Sequence, residues 1–198
     1  YLGWDGGFTP ACVVVQIGPR GQILVLKEYV AEDVSTRIFG EMVVLPSLVR
    51  DFPYNFNNIG SSVHDPSGTA GSKIDPEFSP IGELNSIGIK TTPARTNDIE
   101  PRLGAVRFFL NRMNGGQPCF LISQKGCPSL IKGFLRDYHY KRILVLGEER
   151  YRDVPDKNSS SHAQDALQYV ALEVGPTALQ NGKPKKDSDY SNPVLRIF

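Results

Sequence analysis

Two short β-branched runs stand near the start of the chain, residues 12–17 (Cys-Val-Val-Val-Gln-Ile) and 23–29 (Ile-Leu-Val-Leu-Lys-Glu-Tyr). Gly18-Pro19-Arg20-Gly21 separates them, so the pair reads as a hairpin with a turn of four or five residues. From 36 to 52 the apolar residues Ile38, Met42, Leu45, Val49 and Phe52 step by four, three, four and three, the helical period. Pro46 inside that stretch predicts a kink or an early break. Residues 59–64 form a weak strand that delivers Asp65, and 66–72 form a polar loop whose length and composition predict mobility.

Residues 87–92 read as another short strand. Asp98 has the character of an N-cap, with Pro101 in the first turn of the helix it opens. Ile99, Leu103, Val106 and Leu110 give that helix an apolar stripe, with Arg102, Arg107 and Arg112 largely off it. Further on come a strand at 119–123, a helix at 128–138, a less cleanly alternating strand at 140–147 and a last helix at 160–174. Residues 175–190 are rich in Gly, Pro, Lys, Asp and Ser, which predicts flexibility. The expected organisation is a folded domain at 1–174 and a flexible C-terminal tail at 175–198. An early hairpin followed by alternating helices and short strands predicts an α/β fold, a mixed β-sheet flanked by helices on both faces. Periodicity alone does not single out one such fold.

A chain of 198 residues is one domain with room for a substantial core. Its formal net charge is +1, so any nucleic-acid binding must use a local basic patch rather than overall charge. Cys12, Cys119 and Cys127 match no zinc spacing, and an odd count argues against a disulfide framework; a reducing compartment fits best. No apolar run approaches a membrane span, and the first residues lack a charged-then-apolar signal pattern. The chain begins almost directly in a strand and reads as a piece of a longer protein. It holds no Gly-x-x-x-x-Gly-Lys-Ser/Thr phosphate loop.

The candidate chemistry lies in three aspartates. Asp5 sits in Gly3-Trp4-Asp5-Gly6-Gly7-Phe8-Thr9-Pro10, where small neighbours would let backbone and phosphate approach a bound metal; a turn-capping role is the alternative. Asp65 is held at a strand end in Val63-His64-Asp65-Pro66-Ser67-Gly68, the alternative being a simple Asp-Pro turn. Asp165 lies three residues after His162 on the last helix, so the two share a face. Carboxylates at strand ends and on a late helix can converge on Mg²⁺ or Mn²⁺, which prefer oxygen ligands. His162 is a candidate ligand or proton-transfer group. Lys157, just before the same helix, is a candidate for contacting a phosphate or orienting water. His64 points away from Asp65 by strand alternation and is read as structural. Glu28 is read as an exposed edge-strand charge, with an outer role at the site as the alternative. Arg95, Arg102, Arg107, Lys125 and Lys132 are candidate phosphate contacts.

These phrases also carry a family resemblance. The stretches at 3–10, 64–68, 92–110, 138–142 and 155–172 resemble, in order, the nuclease domain of phage terminase large subunits, the DNA-packaging motors of tailed phages. The most specific is Pro155-Asp156-Lys157-Asn158 followed by His162, Asp165-Ala166-Leu167 and Tyr169. The resemblance implies a ribonuclease-H-like fold and cleavage of double-stranded DNA concatemers by two-metal, in-line hydrolysis with Mg²⁺ or Mn²⁺. Asp5 would bridge the metals, with Asp65 and Asp165 completing the two shells. It further implies a portal and a small terminase subunit as partners, an ATPase domain in an N-terminal part of the same chain, and the host cell cytoplasm as the setting. Val194, Leu195, Ile197 and Phe198 would then be a docking segment, or else an extra strand packed on the domain. Two other readings stand beside this one. Asp5-Gly6-Gly7-x-Thr9 before a hairpin also resembles the phosphate-binding hairpin of actin-like ATPases and sugar kinases, although no second nucleotide motif is present. The third reading is a non-catalytic packaging module that only docks.

Overall fold

The computed structural model describes residues 1–54, 58–69, 79–145 and 148–181. Strand β1 (Leu2–Asp5) sits inside a six-stranded sheet between β2 (Ala11–Ile17) and β4 (Ser62–His64). Beyond β2 lie β3 (Ile23–Val30) and β8 (Phe120–Ile122), and β5 (Thr92–Pro93) closes the other edge. Strands β1, β2 and β3 pair antiparallel, as the hairpin pattern requires, while β4, β5 and β8 pair parallel to their neighbours. Since β1 and β4 run parallel, both carboxyl ends reach the same edge of the sheet. Asp5 closes the first, and Asp65 follows the second with its N–H on the Trp4 carbonyl at 3.2 Å.

Helices cover both faces, as expected. On one side, Leu2, Trp4, Cys12 and Val14 of the sheet pack on a helical layer over 36–51 and on α3 (Pro80–Ser86). That layer is α1 (Thr36–Ile38), a π segment over Phe39–Val44, and α2 (Leu45–Asp51). The expected break at Pro46 is thus an adjustment within a continuous helix. The proline stands in the first turn of α2, just after the turn that widens to i→i−5 bonding, with Leu45 N–H on the Gly40 carbonyl. On the other side, Val13, Val15, Ile23, Val25 and Val63 pack on α4 (Ile99–Leu110), α5 (Pro128–Lys132) and α6 (Ser161–Asn181). A π segment, Gly133–Asp137, continues α5.

α6 lies directly on β1. A Cβ at Gly3 would stand 2.2 Å from the Ala166 carbonyl and 2.8 Å from Val170 Cβ, so only glycine permits this approach. Gly3→Ala is expected to cost about 2–3 kcal/mol, read as a fall in the urea midpoint, because helix backbone rather than a flexible side chain must move. An unchanged midpoint would mean that α6 can slide off the strand at no cost.

Several expectations need correction. The strand expected at 87–92 is only β5, preceded by a buried Ile89 and by α3, which the pattern did not reveal. The buried face of α4 is Arg102, Val106 and Phe109, whereas Leu110 is exposed. Strand β9 (Tyr140–Val145) is paired with an unexpected β10 (Glu148–Pro155), and a small hairpin joins β6 (Met113–Asn114) to β7 (Gln117–Pro118). α6 does not stop at Val174. It continues through Gly175 and Pro176, and the Leu172 carbonyl that Pro176 cannot bond accepts instead from Arg95 at 3.2 Å. The loop residues 70–72 and the apolar end at 194–198 lie outside the described residues. Among the described residues, no helix is long and apolar enough to cross a membrane.

Candidate active site

Side chains in β1 alternate between the faces, so Leu2 and Trp4 enter the core under 36–51 while Gly3 and Asp5 turn toward α6. There Asp5 meets His162, with Oδ2 2.8 Å from Nδ1, and against a carboxylate that nitrogen donates. The helix start that presents His162 is built by Asn158. Its side-chain amide donates to the Asp137 carbonyl at 2.7 Å, its Oδ1 accepts from Ser160 N–H at 2.9 Å, and its carbonyl accepts from Ser161 Oγ at 2.7 Å. One turn along, Asp165 is buried at 2% exposure. Its Oδ1 is held by the Arg102 guanidinium and its Oδ2 by the Lys157 ammonium, with the Tyr138 hydroxyl 3.4 Å from Oδ1.

Arg102 is fixed from every side. Nη1 donates to Asn97 Oδ1 at 3.1 Å, and the guanidinium lies 4.3 Å over the ring of Tyr169, whose hydroxyl donates to the same Asn97 oxygen at 2.6 Å. Tyr138 in turn accepts from Gln168 Nε2 at 2.8 Å. Asp65 is half-buried. Its Oδ1 accepts from Ser67 N–H at 2.8 Å, so the turn reading of this residue holds. Its charge also stands near Tyr169, connecting it to the same network.

The electrostatics follow from this crowding. Burial lifts the Asp5 carboxyl above its ordinary range, and the charge of Asp165 adds to the lift; the His162 hydrogen bond, its charge and Lys157 pull the other way. Burial also raises the Tyr138 hydroxyl to about 12 and pushes Tyr169 higher still. His64 is fully buried on the opposite face, and burial lowers its pKa. Its ring fills the space against Gly6 and Gly68, and Nδ1 reaches the Asp65 carbonyl at 2.9 Å.

Asp5 with His162 and Asp165 with Lys157 therefore form two bonded pairs whose charges influence one another, with Asp65 at the same sheet edge. Carboxylates are the donor type a hard divalent cation takes, and the imidazole is at most an added ligand or a proton-transfer group. Among the described residues, however, no group of three or more His, Cys, Asp or Glu side chains stands close enough to hold one ion as arranged. Both Asp165 oxygens are occupied by cationic side chains instead. Glu28 is not an exposed charge: it is buried, and its two oxygens accept from the N–H groups of Ser129 and Leu130, closing the start of α5.

Pattern reasoning missed the role of Arg102. At 6% exposure it cannot be a surface phosphate contact. Its spacing to Val106 and Phe109, four and then three residues, was the available signal, hidden because a charged residue is counted to the polar face. Among the other cations put forward, Arg95 holds Leu172, Arg107 lies 3.6 Å from Glu100 and Lys132 3.0 Å from Asp137; Lys125 is exposed.

No family model matches the chain, and no curated protein matches it. Two solved structures resemble it. One is the nuclease domain of the large terminase g2p of bacteriophage SPP1 with bound Mn, at 20% identity and a TM-score of 0.56, covering 88% of this chain and 85% of that one. The other is the large terminase nuclease of thermophilic phage G20c with bound cobalt, at 15% identity and a TM-score of 0.49, covering 86% and 77%. The mixed sheet with helices on both faces is thus the ribonuclease-H-like fold of a terminase nuclease domain, a likeness of fold.

Proposed function

We propose that this chain is a Mg²⁺- or Mn²⁺-dependent endonuclease that cuts double-stranded DNA during phage genome packaging. The observation that carries the reading is the hydrogen bond between Asp5 of β1 and His162 of α6, with the Asp165 charge near enough to act on Asp5, at the sheet edge where Asp65 also emerges. The SPP1 domain with the same fold holds Mn, which supports a divalent cation here. Asp5, Asp65 and Asp165 would hold the cations. When bound, they supply an acidified water and neutralise the departing 3′ oxygen.

The protein's own residues do the positioning. The Asp5 hydrogen bond fixes the His162 ring, leaving its other nitrogen for proton exchange. Arg102, locked by Asn97 and Tyr169, keeps the Asp165 carboxylate aimed out of α6. With a net charge of only +1, the enzyme would read DNA through local backbone contacts, and cleavage would show little sequence preference. The portal, the small terminase subunit and an ATPase domain are the partners this reading implies.

The test is conversion of supercoiled plasmid to nicked and linear forms by the purified protein in Mn²⁺, with EDTA as the blank. Cleavage in Mn²⁺ alone supports the reading, and none in either sinks it. Stabilisation by nucleotide in place of metal-dependent cutting would instead favour the actin-like reading. Metal should also stabilise the fold, because it binds the folded arrangement and relieves repulsion among carboxylates. At a hundredfold excess over Kd, Mn²⁺ is expected to raise Tm by about 5–10 °C, and by less in Asp5→Asn. A melting curve indifferent to millimolar Mn²⁺ would count against the site.

A further inference from the structure

The two cations on Asp165 are held very differently. The Arg102 side chain is 7% exposed, bonded to Asn97 and stacked on Tyr169. Lys157 is 69% exposed and reaches in from the segment before α6 to meet a carboxylate that is 3% exposed. Among the described residues its ammonium has no other hydrogen-bond or ion-pair partner, and its charge also acts on Asp5. Arg102 thus has a fixed seat, whereas Lys157 is tethered by one contact and can swing into solvent through its own flexible stem.

We propose that Lys157 is an exchangeable internal counter-ion of the metal site. Its ammonium occupies Asp165 Oδ2 while no divalent cation is bound and is displaced when one binds. This rests on the functional reading above and deepens it. Asp165 is almost fully buried, and an ammonium bonded to it offsets the cost of holding its charge away from water. The same ammonium takes an Asp165 oxygen that a metal would need. The exchange sets a threshold: cation concentration must rise high enough to compete with the lysine. Once displaced, Lys157 would extend from the site as a free cation beside the DNA backbone.

The experiment is calorimetric titration of Mn²⁺ into the wild type, Lys157→Met and Lys157→Arg. Lys157→Met removes the competitor and keeps the stem, so its Mn²⁺ affinity should rise by about three- to tenfold. Its metal-free Tm should fall, and the gain in Tm on adding Mn²⁺ should exceed that of the wild type. Lys157→Arg keeps a competing charge and should bind no more tightly than the wild type. Equal or weaker Mn²⁺ binding by Lys157→Met, with binding intact in the wild type, overturns the exchange and leaves the nuclease reading standing. Absence of Mn²⁺ binding in all three proteins overturns both.

Discussion

Asp5→Asn is expected to lower plasmid cleavage in Mn²⁺ by about two orders of magnitude or more while leaving the fold at least as stable as before. Loss of activity follows from replacing a charged oxygen donor, shared with His162 and facing Asp165, by a neutral amide. The stability half of the expectation comes from the sign of the pKa shift. A carboxyl whose folded pKa is raised is less favourable in its ionised form than it is unfolded. Stability is therefore lost as pH rises from the ordinary carboxylate value through the raised one, and stays lost above it. At neutral pH the asparagine removes that burden, so the metal-free melting temperature should match or exceed the wild type. Asp65→Asn and Asp165→Asn should lose activity to a similar degree. An Asp5→Asn protein that cuts as well as the wild type would remove this residue from the site. One that is inactive because it unfolds would fail the stability half.

Arg102→Met is expected to destabilise the protein by about 3 kcal/mol, a fall in Tm of roughly 6–12 °C. The physical reason is that Asp165 stays behind, buried, with its principal partner gone. The figure sits at the low end for breaking a buried ion pair because Lys157 remains on the other oxygen. Arg102→Met combined with Asp165→Asn should recover much of the loss, since neither charge is then left alone. Urea unfolding of the two single variants and the double variant measures this coupling. A loss under about 1 kcal/mol for Arg102→Met would show that the cluster does not depend on the pair.

Asp5 and Asp165 stood out as candidates because of their local settings, one among glycines at a strand end and one mid-helix, where aspartate has poor propensity. The hairpin was legible for the same kind of reason, a period written in neighbouring residues. The helical faces were not: the stripe read over 36–52 leaves Ile38, Met42 and Val49 exposed while Phe39, Val44 and Leu48 are buried, and α4 buries Arg102 in place of Leu110. Other features depended on distant partners. Arg102 and Asp165 lie 63 positions apart, and nothing near Arg102 announces that it points inward. Glu28 is buried by α5 residues 101 and 102 positions away, so as a strand residue it could only look exposed. α6 runs through Gly175-Pro176, which locally spell a stop, because the freed carbonyl is met by Arg95, 77 residues distant. Strand β10 carries Glu-Glu-Arg-Tyr-Arg-Asp, without the alternation that marks a buried face, and exists by pairing with β9.

The most direct measurement is anomalous diffraction at the manganese edge from crystals of the protein soaked in Mn²⁺. The account predicts a peak between Asp5 and Asp165, with Lys157 turned away from Asp165. Peaks only elsewhere on the surface, with Lys157 still bonded to Asp165 at saturating Mn²⁺, would contradict it.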